Sequence, residues 1–189
     1  MSKKDKSQEF DSFKNKANEG DTDAMVECGN MLIKGDGIPV DKMKAIEYYK
    51  MAIEKENDEA MFLYARVLLT GDGVKVDKKK ALEYCKMSID KGNSNAINMY
   101  ATMLRYGNGV KLDKDEAIKY YKQAIEKGNS NAMFNYAFML KDGEGITKNI
   151  QESVEYFKKA IRKKNDMAMN AYANMLKKGD GIPVDKKQA

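Results

Sequence analysis

Acid–base and nucleophilic chemistry usually begins at a histidine, and this sequence has none. Without imidazole, the commonest general base and the commonest protein metal ligand are both missing. A Ser-His-Asp or Cys-His arrangement is therefore impossible. Two thiols remain, Cys28 and Cys85, far apart in the chain. They form neither a secreted disulfide framework nor a zinc-ligand pattern. Carboxylates abound, but their positions suit helix N-caps and solvated faces, so no catalytic pair, metal site or cofactor is expected. The remaining chemical candidate is Gly-x-Gly, which occurs as Gly35/Gly37, Gly71/Gly73, Gly107/Gly109, Gly143/Gly145 and Gly179/Gly181. A phosphate-binding loop of this kind follows a strand and opens a helix. Here each instance follows a helical pattern, so each is expected to stop a helix and turn the chain.

Those glycine pairs recur every 36 residues without insertion, and other columns keep the same step. Ala24, Ala60, Ala96, Ala132 and Ala168 form one. Cys28, Tyr64, Tyr100, Tyr136 and Tyr172 form another, and Leu32, Leu68, Leu104, Leu140 and Leu176 a third. Beyond the glycines come Ala45, Ala81, Ala117 and Ser153, then Tyr48, Tyr84, Tyr120 and Tyr156. Fixed periods of this length mark a repeat architecture.

Each unit reads as two helices. In 57–92, Asn57 is a natural N-cap. Ala60, Met61, Tyr64, Ala65, Val67 and Leu68 then fall within one helical arc of roughly 160°, and Gly71 ends the helix in the left-handed conformation. Asp77 caps the second helix, with Ala81, Leu82, Tyr84, Cys85, Ser88 and Ile89 as its buried stripe, and Gly92 ends it. The expected organisation is an N-terminal tail and capping helix over 1–20, then units at 21–56, 57–92, 93–128, 129–164 and an incomplete 165–189. Residues 9–19 read as a lone second helix, in which Lys16 replaces the small Ala52 column and gives a polar outer face. At the other end Asp185 begins a second helix that stops at Ala189. This suggests a fragment of a longer array, or a last helix supplied by another molecule through self-association.

In residues 93–128 the columns read Ala96, Ala101, Gly107-Asn108-Gly109-Val110, Asp113, Glu116-Ala117, Tyr120-Tyr121, Ala124 and Gly128. This pattern resembles the Sel-one-like repeat (SLR) family, a cousin of the tetratricopeptide repeats, over residues 21–181. The resemblance implies an all-α, right-handed superhelical solenoid of antiparallel helix pairs, with first helices lining a concave groove. It also implies a role as an adaptor that assembles protein complexes. Some bacterial members carry a disulfide in each repeat, and weak penicillin-binding or β-lactamase activity has been attributed to them. This chain lacks those paired cysteines, which argues against carrying that activity over and leaves a weak hydrolase as the least favoured alternative.

In a repeat array the informative residues are those that break the repeat. Opposite the core arc of the first helix lie the columns of Phe62, Leu63, Arg66 and Leu69. One column runs Val26, Phe62, Asn98, Phe134, Asn170, and another Asn30, Arg66, Thr102, Phe138, Asn174. Phe62, Arg66, Asn98, Thr102, Phe134, Phe138, Asn170 and Asn174 are therefore the expected partner-binding residues. Phe134 and Phe138, four apart, would sit side by side, and exposed aromatic patches mark interaction sites. The competing placement packs them on the neighbouring second helix as ordinary core. Asn98, Asn135, Asn170 and Asn174 would pair with a partner's backbone amides and carbonyls.

Composition agrees with a non-catalytic binding protein. The chain is 42% hydrophobic and 33% charged, with 34 Lys and Arg against 29 Asp and Glu, for a net charge of +5. Lysine clusters at Lys78, Lys79, Lys158, Lys159, Arg162, Lys163 and Lys164 read as a solvated convex face. A second reading makes them a surface for an acidic partner or nucleic acid, but basic residues are interspersed with acidic ones along most of the chain. No signal peptide or membrane-spanning run is visible. The expected partner is a protein or peptide, in a reducing cytoplasmic setting.

Overall fold

Local sequence chemistry sets the boundaries of every helix. The structure, a computed structural model, describes residues 3–181, 183 and 184, without the side chains of Lys3 and Lys4. The helices are α1 (Lys3–Asn18), α2 (Thr22–Lys34), α3 (Lys42–Glu54), α4 (Asp58–Thr70), α5 (Lys78–Asp90), α6 (Ser94–Tyr106), α7 (Lys114–Glu126), α8 (Ser130–Asp142), α9 (Ile150–Arg162) and α10 (Asp166–Lys178). No strand occurs among the described residues. From α2 on, even-numbered helices are the first of each repeat and odd-numbered helices the second. The helix expected from Asp185 lies outside the described residues. α1 begins at Lys3 rather than residue 9, because the Lys, Gln and Glu of its early turns are good helix formers, Asp5 stands in the first turn where the helix dipole favours a negative charge, and Lys6 pairs with Asp36. The chain divides into two compact units, Met1–Ala96 and Ile97–Ala189.

First helices start where a side-chain oxygen caps an orphan amide. Asp21, Asn57, Asn93, Asn129 and Asn165 accept from the amides of Ala24, Ala60, Ala96, Ala132 and Ala168 at 2.8–3.0 Å. Asparagine does a second thing that aspartate could not. Its Nδ2 donates back to the first turn of the preceding repeat: Asn57 to Thr22 and Asp23 at 3.1 Å, Asn93 to Asp58 and Glu59 at 2.9 Å, and Asn165 to Asn131 at 2.8 Å. One residue type thus both caps its own helix and ties it to its neighbour.

Gly-x-Gly also serves two purposes. The first glycine takes the left-handed conformation as helix C-cap, as at Gly71 with φ 76°. The second stands against the preceding second helix: a Cβ on Gly73 would lie 2.6 Å from Lys42 Cβ, and one on Gly145 would lie 2.7 Å from Lys114 Cβ. The residue between them receives the same lysine. Lys42 reaches Asp72 at 2.6 Å and Lys114 reaches Glu144 at 3.2 Å. Arg105, 8% exposed, completes the second site on the Glu144 carboxylate. That pairing, above all its hydrogen bond, holds the Glu144 carboxyl below its ordinary pKa.

Within a repeat, tyrosines zip the two helices. Tyr64–Tyr84, Tyr100–Tyr120 and Tyr136–Tyr156 meet edge to face with centroids 4.8–4.9 Å apart, the arrangement the ring quadrupole favours. Lysines of the preceding second helix lie over first-helix rings, Lys50 over Tyr64, Lys122 over Tyr136 and Lys158 over Tyr172. The small columns Ala45, Ala81, Ala117, Ala124 and Ala160 are fully buried, so the backbones approach closely. Where serine takes such a place it donates to a carbonyl, Ser88 to Asp58 and Ser153 to Ala137 at 2.7 Å.

Candidate partner-binding face

The first unit, Met1–Ala96, carries Phe62 and Arg66 on α4. Phe62 is half-buried against the core, and the exposed Arg66 lies over its ring at 5.6 Å. Arg66 makes no ion pair among the described residues. Leu63, expected on the same open face, is instead buried at 4% exposure. At that turn the helix already faces its neighbour, so the apolar arc is wider than core columns alone imply. The thiols lie where expected, both fully buried and unpaired. Burial pushes Cys28 up to about 11 and Cys85 up to about 12.

The second unit, Ile97–Ala189, brings six of the expected residues onto neighbouring first helices. On α6, Thr102 Oγ1 donates to the Asn98 carbonyl at 3.0 Å. Its single proton is thereby used, so the Tyr121 hydroxyl, 3.0 Å away, donates to Thr102. Asn98 Oδ1 accepts from Asn135 Nδ2 of α8 at 3.0 Å. On α8, Phe134 and Phe138 lie edge to face at 4.9 Å, and both contact the fully buried Phe157 of α9, at 6.1 and 5.3 Å. They are therefore half core and half surface, and neither alternative read from the sequence describes them alone. Asn170 and Asn174 on α10 are exposed.

These contacts obey a rule of register. A first-helix residue meets a second-helix residue 19 positions later: Asn30 with Tyr49, Thr102 with Tyr121, Phe138 with Phe157. The second-helix partners Tyr121 and Phe157 were not among the expected site residues, although a comparison of columns offset by 19 would have exposed them. The face of the second unit reads polar, aromatic, polar along α6, α8 and α10. A pocket of about 220 Å³ opens beside the aromatic step, floored by Phe138, Phe157 and Met175 and rimmed by Lys141, Asn174, Lys178 and Asp180. Lys141 lies over the Phe138 ring at 5.5 Å and is held by Asp142 at 3.1 Å and Asp180 at 3.4 Å. On the second helices, Lys158 and Lys159 each lie over a tyrosine. Among the described residues no cluster of His, Cys, Asp or Glu could hold a metal ion, and no helix is long and apolar enough to cross a membrane.

A family model described as the Sel1 repeat matches residues 22–57, 58–93, 94–129, 130–165 and 166–189. Solved structures agree. A Sel1 repeat protein from Oxalobacter formigenes superposes with a TM-score of 0.79 at 27% identity, over 95% of this chain and 74% of that one. The protective antigen c5321 of uropathogenic Escherichia coli, which displays an SLR fold, gives 0.71 at 26% identity, over 94% of this chain but only 38% of its own. The cysteine-rich protein B of Helicobacter pylori shares the fold, with a TM-score of 0.53 at 24% identity, over 68% of this chain and 92% of that one. No curated protein matches the sequence.

Proposed function

The chain belongs to the Sel1 repeat family, whose members are generally protein–protein interaction scaffolds, and we propose that it is a non-catalytic scaffold that binds a partner peptide across α6, α8 and α10. One observation carries this reading. The core columns of the second unit repeat faithfully, whereas the face beside them changes from Asn98 and Thr102 to Phe134 and Phe138 to Asn170 and Asn174. Packing within a repeat uses part of that alternation, pairing Thr102 with Tyr121 and Phe138 with Phe157, but it leaves Phe134 and Phe138 half-exposed and Asn170 and Asn174 exposed. An extended peptide would use that exposed remainder: the aromatic step offers an apolar anchor site, and asparagines on either side offer paired donors and acceptors for its backbone. On α4 of the first unit, Phe62 and Arg66 break their columns in the same way and are proposed as partner-contact residues of that unit. The buried, unpaired thiols suit a reducing compartment such as the cytoplasm.

The alternative, a lysine surface for an acidic partner or nucleic acid, is less favoured because Lys158 and Lys159 already cover tyrosine rings. A photo-crosslinking residue placed at Asn170 or Asn174 tests the proposal in source cells. Discrete protein adducts are expected from these sites and not from Lys163 on α9. Adducts from Lys163 alone would overturn it.

A further inference from the structure

We propose that the pocket between α8 and α10 selects a peptide bearing one large apolar side chain with an acidic residue beside it. This deepens the reading above and rests on it. The pocket is smaller than the roughly 300–1,000 Å³ typical of sites for drug-sized ligands, and its 220 Å³ suits a single side chain. Its floor is apolar, built from Phe138, Phe157, Ala171 and Met175. An apolar side chain entering it would complete the edge of the three-phenylalanine cluster and shed water from Phe138, which is only half-buried.

The rim determines what must flank that anchor. The rim's one carboxylate, Asp180, is paired with Lys141, which Asp142 also holds. Lys178 is exposed and has no ion-pair partner among the described residues. It therefore presents an unspent positive charge at the pocket mouth, beside the exposed Asn174 amide. The wider charge distribution points the same way: Asp and Glu nearly balance Lys and Arg in residues 1–96, so the chain's positive excess lies in residues 97–189. A field of that sign draws acidic segments to the second unit, and the local Lys178 contact selects where the carboxylate sits relative to the anchor.

A random peptide library displayed on phage, panned against the full chain and against Lys178→Glu, tests this. Peptides selected on the wild type should share a Leu, Ile, Met or Phe with Asp or Glu within two positions. A synthetic peptide of that kind should bind Lys178→Glu about tenfold more weakly, and panning on the variant should lose or reverse the acidic preference. If selected peptides lack the acidic neighbour and bind Lys178→Glu unchanged, but weaken on Asn170→Ala, the pocket inference fails while the binding face stands. If they are insensitive to Asn170→Ala, Asn174→Ala and Phe138→Leu alike, with circular dichroism confirming that each variant is folded, both fail. If sedimentation shows a dimer that Lys178→Glu dissociates, the occupant is a second copy of the chain and the peptide inference is overturned.

Discussion

Phe138 stands edge-on to Phe157, ring centroids 5.3 Å apart at 87°, at the register where Thr102 meets the Tyr121 hydroxyl one repeat earlier. The same scaffold position thus carries a hydrogen bond in one unit and an aromatic contact in the next. Since Phe138 is half-buried, its loss is expected to lower stability as well as binding. Phe157→Ala should cost about 3–5 kcal/mol and Phe138→Ala roughly 2 kcal/mol. A double-mutant cycle by urea denaturation should return a coupling near 1 kcal/mol. A coupling near zero would mean that the two rings do not meet.

The helix pairs, their caps and their core columns were legible in the sequence because they repeat: Asn57, Gly71 and Ala60 each follow from a local rule of capping or close packing. The site was legible only in part. Phe134 and Phe138 announced themselves by breaking their columns, yet one-helix reasoning could not decide whether they were core or surface. Their burial depends on Phe157, which lies on a different helix. Leu63 failed for the same reason, since helical phase alone does not say how far a neighbouring repeat wraps around. Lys141 and Lys178 look like ordinary surface lysines until the pocket they rim is visible.

The asparagine N-caps are expected to be irreplaceable by the better-known cap aspartate. Asn93→Asp keeps the bond from the Ala96 amide but sets a third carboxylate against Asp58 and Glu59, both 2.9 Å from the present Nδ2. It should destabilise the protein by more than the roughly 1 kcal/mol of a lost cap. The deficit should shrink as pH falls into the carboxylate range and the cluster protonates. Thermal melts of the variant and the wild type between pH 7 and pH 4 would show the two curves converging. Parallel curves would contradict the inter-repeat role.

Two residues occupy the left-handed conformation where other repeats place glycine: Glu56 at φ 62° and Lys164 at φ 59°, against Gly92 at φ 88° and Gly128 at φ 80°. A side chain there costs about 1–2 kcal/mol. Lys164→Gly should therefore stabilise the protein, by up to ~1 kcal/mol after the entropy that glycine adds to the unfolded chain. Chemical denaturation checks this, and a loss of stability would contradict it.

The thiols should be nearly inert in the folded protein. Burial raises Cys28 to about 11 and Cys85 to about 12, so little thiolate forms at neutral pH and reagents wait on unfolding. A folded pKa above the unfolded value stabilises the native state below the unfolded pKa, near 9. That contribution is lost as pH rises from there through the folded values, because the unfolded chain ionises first. Melting temperatures should fall over that alkaline window, less steeply for the Cys28→Ala/Cys85→Ala variant. Rapid labelling of both thiols at pH 8 without unfolding would show that they are not core residues.

The side-chain amide resonances of Asn98, Asn170 and Asn174 report directly on the face proposed to grip a partner. Recording them in a ¹⁵N-labelled chain while a library-selected peptide is titrated in tests the central claim most directly. We expect all three to shift in a saturable way, together with the backbone amides around Phe134 and Phe138 on α8. Unmoved asparagine amides, with shifts confined to Lys158, Lys159 and Arg162 on α9, would contradict the account and place binding on the second helices.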